Sequence, residues 1–141
     1  MKTKLYAACI LILATLGFNP VALAEMQKVV IQVSSDDPRS QTIAMNNAVN
    51  VQKALGMDNV AVEIVAYGPG LSMLTANNKQ AQRVSSLAMQ DIVFSACGNT
   101  MAKIEQKSGK KPQLAEGVQV VPAGVIRIME LQQQGYAYIR P

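Results

Sequence analysis

The sequence predicts a three-layer α/β sandwich, in which helices cover both faces of a mostly parallel, five-stranded sheet. Three observations indicate this fold class. Short runs rich in β-branched residues alternate with stretches that carry a helical spacing of apolar residues, as repeated β-α-β units do. The first three runs are almost continuously apolar, which is typical of parallel strands buried on both faces. No repeat or low-complexity tract interrupts the alternation.

Each predicted strand ends at residues that favour turns. The first is followed by the cluster Ser34–Pro38, the second by Gly68–Gly70, and the fourth by Pro122. The third strand places Cys97 at its carboxyl edge. The five predicted strands are Lys28–Val33, Val60–Ala66, Asp91–Ala96, Val118–Val121 and Tyr136–Ile139.

Between the strands, apolar residues recur at helical spacing, and Gly56 and Gly109 follow two of these stretches in the position of a C-cap. The predicted helical segments are Ser40–Leu55, the short turn Leu71–Leu74, Lys79–Gln90, Thr100–Ser108 and Gly124–Gln134. The residues predicted to face the core are Ile43, Ala44, Ala48, Val51, Ala54 and Leu55 in the first helix, Val84, Leu87 and Ala88 in the second, and Val125, Ile128, Met129 and Leu131 in the last.

Composition excludes several kinds of chemistry. The 141 residues include no His, no Trp and only two Cys, and 16% of them are charged. Without His, neither a Ser-His-Asp nor a Cys-His catalytic arrangement can form, and two cysteines cannot build a structural zinc site. Any reaction must use a thiol, hydroxyls, amides or carboxylates, and we expect no metal, flavin or nucleotide cofactor.

Residues 1–24 have the pattern of a secretory signal peptide. Lys2 and Lys4 precede a short apolar run, and Ala22-Leu23-Ala24 matches the small-x-small rule for cleavage. Cleavage is predicted before Glu25, which would place the mature protein in the periplasm. An uncleaved membrane anchor is the less favoured alternative, because the apolar run is shorter than the roughly 20 residues that a spanning helix needs.

Removal of this leader would change both the charge and the thiol count. The leader contains two lysines, one cysteine and no acid, so the net charge falls from +4 to +2 for the single domain that remains, residues 25–141. That charge is too small to indicate nucleic-acid binding. Cys97 is then the only thiol, and it has no partner for an internal disulfide. The one basic cluster, interpreted as a solvated loop, is Lys107, Lys110 and Lys111.

In parallel α/β sheets, ligands and reactive groups gather at the carboxyl ends of strands. Of the three loops predicted there, Ser34–Pro38 is interpreted as a helix cap, and its two acids would repel the phosphate of a flavin or nucleotide. The loop Gly68-Pro69-Gly70 could offer backbone amides to an anion or to a neighbouring sulfur. It could equally be a tight turn that needs glycine dihedral angles.

The third loop contains the candidate reactive group, Cys97. Gly98 leaves the sulfur uncrowded, and Asn99 or Thr100 could cap the helix that follows. Free amides in the first turn of that helix would favour the thiolate, which is the nucleophilic form of cysteine. We therefore expect the sulfur to be presented to solvent. The alternative is a structural cysteine that fills the strand end, because free cysteine is among the most buried residue types.

Other unusual residues are interpreted as structural. Asn46, Asn47 and Asn50 are poor helix formers within the first helix, which indicates a solvated or subunit-facing surface. The methionines interpreted as core filler are Met45, Met57, Met73, Met89, Met101 and Met129.

Several blocks of the sequence resemble the DsrE/DsrF-like family, whose members are associated with intracellular sulfur oxidation, and this chain would be an exported member. The more specific blocks are Gly68-Pro69-Gly70 and Cys97-Gly98-Asn99-Thr100. The other matching blocks are 44–48, 65–71, 120–125 and 131–139, in the expected order over nearly all of residues 28–139.

This resemblance implies a flavodoxin-like fold, homo-oligomers such as trimers or hexamers, and a sulfur-relay role. Cys97 matches the position at which family members carry sulfane sulfur as a persulfide and pass it to a partner thiol. The sulfur donor and acceptor stay open. The alternative is a non-enzymatic oligomeric binding or assembly module, in which Cys97 packs and the edge Tyr136–Tyr138 serves an interface. A thiol-disulfide oxidoreductase is less favoured, because the chain has no Cys-x-x-Cys pair.

Overall fold

A computed structural model describes residues 25–141 of the chain. The predicted signal peptide, residues 1–24, lies outside the described residues. Across 25–141, no helix combines the length and the apolar character that crossing a membrane would require.

The predicted alternation of strands and helices is confirmed. The strands are β1 (Gln27–Val33), β2 (Val60–Ala66), β3 (Ile92–Cys97), β4 (Val118–Val121) and β5 (Ala137–Ile139). The helices are α1 (Pro38–Leu55), α2 (Ala81–Ala88), α3 (Gly98–Ser108) and α4 (Gly124–Gln133), with two short 3-10 helices at Met57–Asn59 and Gly68–Leu74.

All five strands pair in parallel, in the order β4-β3-β2-β1-β5. The connections from β1 to β2, β2 to β3 and β3 to β4 all run towards the same edge of the sheet, and right-handed crossovers of this kind place their helices on the same face. The connection from β4 to β5 runs back to the other edge, so its helix lies on the opposite face. The helices that follow β1, β2 and β3 therefore share one face, whereas α4 lies alone on the other. The predicted three-layer sandwich is confirmed.

The two faces of the sheet are buried to different extents. The larger core lies on the side of α1, α2 and α3, around fully buried side chains such as Ile31, Ile64 and Phe94. On the other face, α4 packs Ile128 and Leu131 against β1 and β2 in a much smaller cluster. A single helix of 10 residues therefore covers only part of that face.

The core-facing stripe predicted for α1 is wrong at Ile43, Ala54 and Leu55, which are exposed. The glutamines on the buried side were not predicted, because their polarity hides the pattern. Gln52 is buried nonetheless, since its side-chain amide donates to the backbone oxygen of Gln90 at 2.7 Å. The residues that α1 does bury are Gln41, Ala44, Met45, Ala48 and Gln52.

The inward face predicted for α4 is half wrong. Ile128 and Leu131 are buried as predicted, but Val125 and Met129 are each 51% exposed. Arg127 lies on the same side of α4 as Ile128 and Leu131, and its guanidinium contacts the carboxylate of Glu63 on β2. Among the other methionines interpreted as core filler, Met57 and Met89 are also exposed, whereas Met45, Met73 and Met101 are buried.

Candidate functional site

Cys97 is the last residue of β3 and the N-cap of α3 at the same time. The helix begins at Gly98, two residues earlier than predicted, so neither Asn99 nor Thr100 caps it. The first-turn amides of α3 consequently lie directly beside the thiol. The sequence correctly placed Cys97 where a buried strand passes into a helix.

The expectation that the sulfur is presented to solvent is wrong, because Cys97 is only 5% exposed. The N-terminus of α4 lies against it: a Cβ atom added to Gly124 would come within 3.3 Å of the Cys97 Cβ and 3.1 Å of the Tyr67 Cβ. Tyr67 and α4 therefore cover the thiol. The backbone of α4 can approach this closely only because position 124 has no side chain.

The environment of the buried thiol is nevertheless polar. Burial raises the pKa of Cys97, but hydrogen bonds from the Thr100 hydroxyl and from the amides of Gly124, Thr100 and Asn99 outweigh this effect. The pKa therefore lies below its ordinary value. These donors come from the first turns of α3 and α4, where the positive ends of both helix dipoles also favour an anion. The site can stabilise a thiolate without a metal or a histidine.

The Gly68–Gly70 turn supports this site indirectly. The backbone amide of Gly68 donates to Thr100 Oγ1 at 2.9 Å, so the hydroxyl accepts there and remains free to donate its proton towards the sulfur. Gly70 packs directly on the backbone of Val33 at the end of β1, where an added Cβ would collide with the carbonyl group. Gly68 holds a φ of +54°. The Gly68 amide is thus bonded to a hydroxyl and not to an anion or a sulfur, whereas the positive φ of Gly68 and the close approach of Gly70 are those of a tight turn that needs glycine.

The Ser34–Pro38 loop is a helix cap, as predicted. Asp37 Oδ2 accepts hydrogen bonds from the Ser40 amide at 2.8 Å and from the Ser40 hydroxyl at 2.9 Å. These bonds lower the pKa of Asp37. Of the asparagines on α1, Asn46 and Asn50 are exposed, and Asn46 Oδ1 accepts a hydrogen bond from Arg83.

The sequence reasoning missed a buried charge pair on the face that α4 covers. Glu63, in the middle of β2, is 2% exposed and accepts two hydrogen bonds from Arg127, each of 2.8 Å. It also accepts one from the Ser95 hydroxyl at 2.6 Å, and Gln119 donates to that hydroxyl. The signal was available in the sequence, because an acid within a β-branched strand needs a partner when it is buried.

At the sheet edge, β5 pairs with β1, and the hydroxyl of Tyr138 donates to the side-chain oxygen of Gln32. Tyr138 is partly exposed and Tyr136 packs on the small core below α4. Within residues 25–141, no three side chains of the His, Cys, Asp and Glu types lie close enough together to hold a metal ion.

This fold and site define a class: a parallel α/β sandwich in which the one thiol of residues 25–141 lies at the carboxyl end of an inner strand, between two helix N-termini. The profile of the DsrE/DsrF-like family matches residues 27–141. The chain belongs to the DsrE/DsrF-like family, as its resemblance implied.

Solved structures similar to this chain include the following two. The structure of a protein of unknown function, MTH1491 from Methanobacterium thermoautotrophicum, shares 35% sequence identity over 82% of this chain and 99% of that one, with a TM-score of 0.73. The crystal structure of the ychN protein from E. coli, at 13% identity, covers 82% of this chain and 100% of that one with a TM-score of 0.67, which shows the fold alone. No curated protein matches the sequence.

Proposed function

We propose that the protein is a sulfur-relay carrier of the sulfurtransferase kind, in which Cys97 holds sulfane sulfur as a persulfide. One observation carries the proposal: Cys97 lies buried between the N-termini of α3 and α4, where the Thr100 hydroxyl and the amides of Gly124, Thr100 and Asn99 act as donors that lower its pKa in spite of burial. A cysteine that served only to fill a strand end would need no such donors. Family membership supports the same chemistry, since the DsrE/DsrF-like family is associated with sulfur relay.

The transfer is a sulfur displacement that needs no external oxidant. The Cys97 thiolate attacks the outer sulfur of a donor persulfide or polysulfide, and the new S–S bond forms as the old one breaks. The electron pair of the broken bond leaves on the donor thiolate. In the second step, an acceptor thiolate attacks the outer sulfur of the Cys97 persulfide, and Cys97 departs as a thiolate. The Thr100 hydroxyl and the Gly124 amide stabilise that leaving thiolate.

Access to the sulfur is the structural requirement of this proposal. With Cys97 only 5% exposed, a donor can reach it only when a covering group moves. Tyr67 is the half-buried side chain that lies against Gly124 beside the thiol. We infer that Tyr67 rotates to open the site, because α4 is held to the sheet by the Glu63–Arg127 pair.

Mass spectrometry after polysulfide treatment tests the proposal. Residues 25–141 contain one cysteine, so the wild-type domain should gain a single persulfide adduct of about 32 Da, which dithiothreitol should remove. Cys97→Ser should gain none. If the wild-type protein and Cys97→Ser give the same spectrum after treatment, the relay function is wrong.

A second candidate is a binding or assembly module in which Cys97 is structural. Exposed apolar residues on or beside α4 favour an assembly role, and we propose that they form a homo-oligomer interface, with trimers or hexamers expected from the resemblance. These residues are Val93, Val125, Ile126 and Met129, between 39% and 52% exposed. Light scattering on wild type and Ile126→Lys tests the interface. The variant should form a smaller assembly than wild type, and a monomeric wild type would exclude the proposed homo-oligomer interface.

We also propose that the protein acts in the periplasm after export. The basis is the sequence of residues 1–24, with its basic start, apolar run and Ala22-Leu23-Ala24 cleavage site. Expression of the full chain in a Gram-negative host, followed by N-terminal sequencing of the periplasmic fraction, should yield a chain that begins at Glu25. Retention of an uncleaved chain in the membrane fraction would favour the anchor instead.

A further inference from the structure

A long groove runs beside α3, on the far side of Thr100 from the thiol. Its volume is about 1290 Å³, and it lies between the segment 67–78 on one side and α3 with the segment 110–113 on the other. Small-molecule pockets commonly span about 300–1,000 Å³. This groove is therefore larger than a small sulfur donor needs.

The groove is lined by lysines and by no acid. Its lining includes Lys103, Lys107, Lys110 and Lys111, and no Asp or Glu. All four lysines are exposed, and none of them makes an ion pair with another residue of the 25–141 domain. The domain of residues 25–141 has a net charge of only +2, so four unpaired positive charges around one groove are a marked local concentration of charge. The interpretation of this basic cluster as a solvated loop missed Lys103 and the concave surface that it shares.

The lysines extend away from the thiol site along one helix face. Thr100, Lys103 and Lys107 are spaced three and four residues apart on α3, so they lie on the same side. At 1.5 Å per residue, the seven residues from Thr100 to Lys107 span about 10 Å. On the opposite wall, Asn77 offers a side-chain amide that can pair with the backbone of a bound chain, and Asn78 offers its side-chain NH2, because Asn78 Oδ1 already accepts from the Gln80 amide.

We propose that this groove binds an extended acidic peptide segment of a partner protein. The length and volume suit a chain of several residues, the lysines match its carboxylates, and the asparagines match its backbone. A single-stranded nucleic acid fits less well, because Tyr67 is the one aromatic residue of the lining and base stacking uses successive aromatics. The binding does not depend on the reactivity of Cys97, although the Thr100 end would bring a bound segment close to the thiol.

Fluorescence anisotropy with labelled hexaglutamate tests the groove, and labelled hexaglutamine is the uncharged control. We expect hexaglutamate to bind and to dissociate as salt is raised, because exposed charges are screened. Lys107→Glu/Lys111→Glu should weaken binding by about tenfold or more. The control Lys53→Glu/Arg39→Glu changes the net charge by the same amount, but its two positions are exposed residues outside the groove. This variant should weaken hexaglutamate binding far less. Thermal unfolding of each variant would verify that it folds.

Three results would overturn the inference. The first is equal weakening by the two double variants, which would mean that only net charge matters. The second is tighter binding of labelled oligothymidylate, which would indicate a nucleic-acid surface. The third is competition by citrate as effective as that by unlabelled hexaglutamate, which would indicate a site for small anions. All measurements are repeated on Cys97→Ser, in which binding should persist, so a failure of the persulfide chemistry would be seen separately.

Discussion

The guanidinium of Arg127 donates two hydrogen bonds to the carboxylate of Glu63, from Nε and from Nη2, each 2.8 Å long. This pair joins α4 to the middle of the sheet. Gly124, whose amide helps to stabilise the Cys97 thiolate, lies one helical turn before Arg127. The pair on one side of the sheet therefore positions a donor for the thiol at its edge. Arg127 and Glu63 are positioning residues, since neither touches the sulfur.

Glu63→Gln should destabilise the protein. The substitution removes the charge opposite Arg127, whose side chain is 28% exposed, so we expect a loss of about 2–3 kcal/mol, below the full cost of breaking a deeply buried pair. Urea denaturation measures the loss. Glu130→Gln is the matched control: Glu130 lies 3.8 Å from the same guanidinium but is 52% exposed, and its loss should cost less than about 0.5 kcal/mol.

Glu63→Gln should also change the pKa of the Cys97 thiol. If Glu63 and Arg127 position α4, the pKa of Cys97 should rise in Glu63→Gln and stay unchanged in Glu130→Gln. A variant that is less stable but keeps the wild-type thiol titration would show that the pair has a purely structural role.

Thr100→Val should raise the pKa of Cys97, because the hydroxyl that donates to the sulfur is lost. The expected weakening of the thiolate is about 1 kcal/mol, the size of one hydrogen bond. Thr100→Ser keeps a hydroxyl and should restore most of the effect. The ultraviolet absorbance of the thiolate, measured against Cys97→Ser, gives the titration without requiring a reagent to reach the buried sulfur.

The pH dependence of stability should show the same lowered pKa. Because the thiol ionises at lower pH in the folded than in the unfolded chain, its contribution to stability is complete above the unfolded pKa and is lost as the pH falls through the folded pKa. The stability of wild type relative to Cys97→Ser should therefore increase from neutral to alkaline pH. A difference that is constant with pH would contradict the donor arrangement around the sulfur.

Gly70→Ala should cost about 3 kcal/mol or more, or prevent folding, because the added methyl group would collide with the backbone of Val33. Gly68→Ala is the comparison, since an added Cβ there meets nothing within 4 Å. Its cost should be about 1–2 kcal/mol, from the positive φ of +54° alone. Chemical denaturation of both variants separates close packing from dihedral preference in this turn.

Local pattern was sufficient to predict much of this fold. The strands Val60–Ala66 and Val118–Val121 agree with the prediction to the residue, and Cys97 ends its strand as expected. The β-branched runs and their Gly and Pro boundaries contain that information. The strand order β4-β3-β2-β1-β5 could not be predicted from local pattern. Parallel pairing allows several orders, and the choice among them depends on packing between segments that are distant in the sequence.

The burial of Cys97 could not be read from its surroundings in the sequence. It is covered by Gly124, 27 positions later in the chain, and a glycine at a helix start gives no sign of which residue it will approach. The lysine-lined groove beside α3 could not be predicted for a similar reason. Its walls come from separate segments that meet only in the folded protein.

The outermost strands of the sheet are its shortest: β4 has four residues and β5 has three, against six or seven for the inner strands. A sheet that tapers in this way offers few unpaired backbone groups to a stray strand from another molecule. Val120 and Tyr138 are therefore partly exposed on edge strands that leave few backbone groups with which a strand of another molecule could pair.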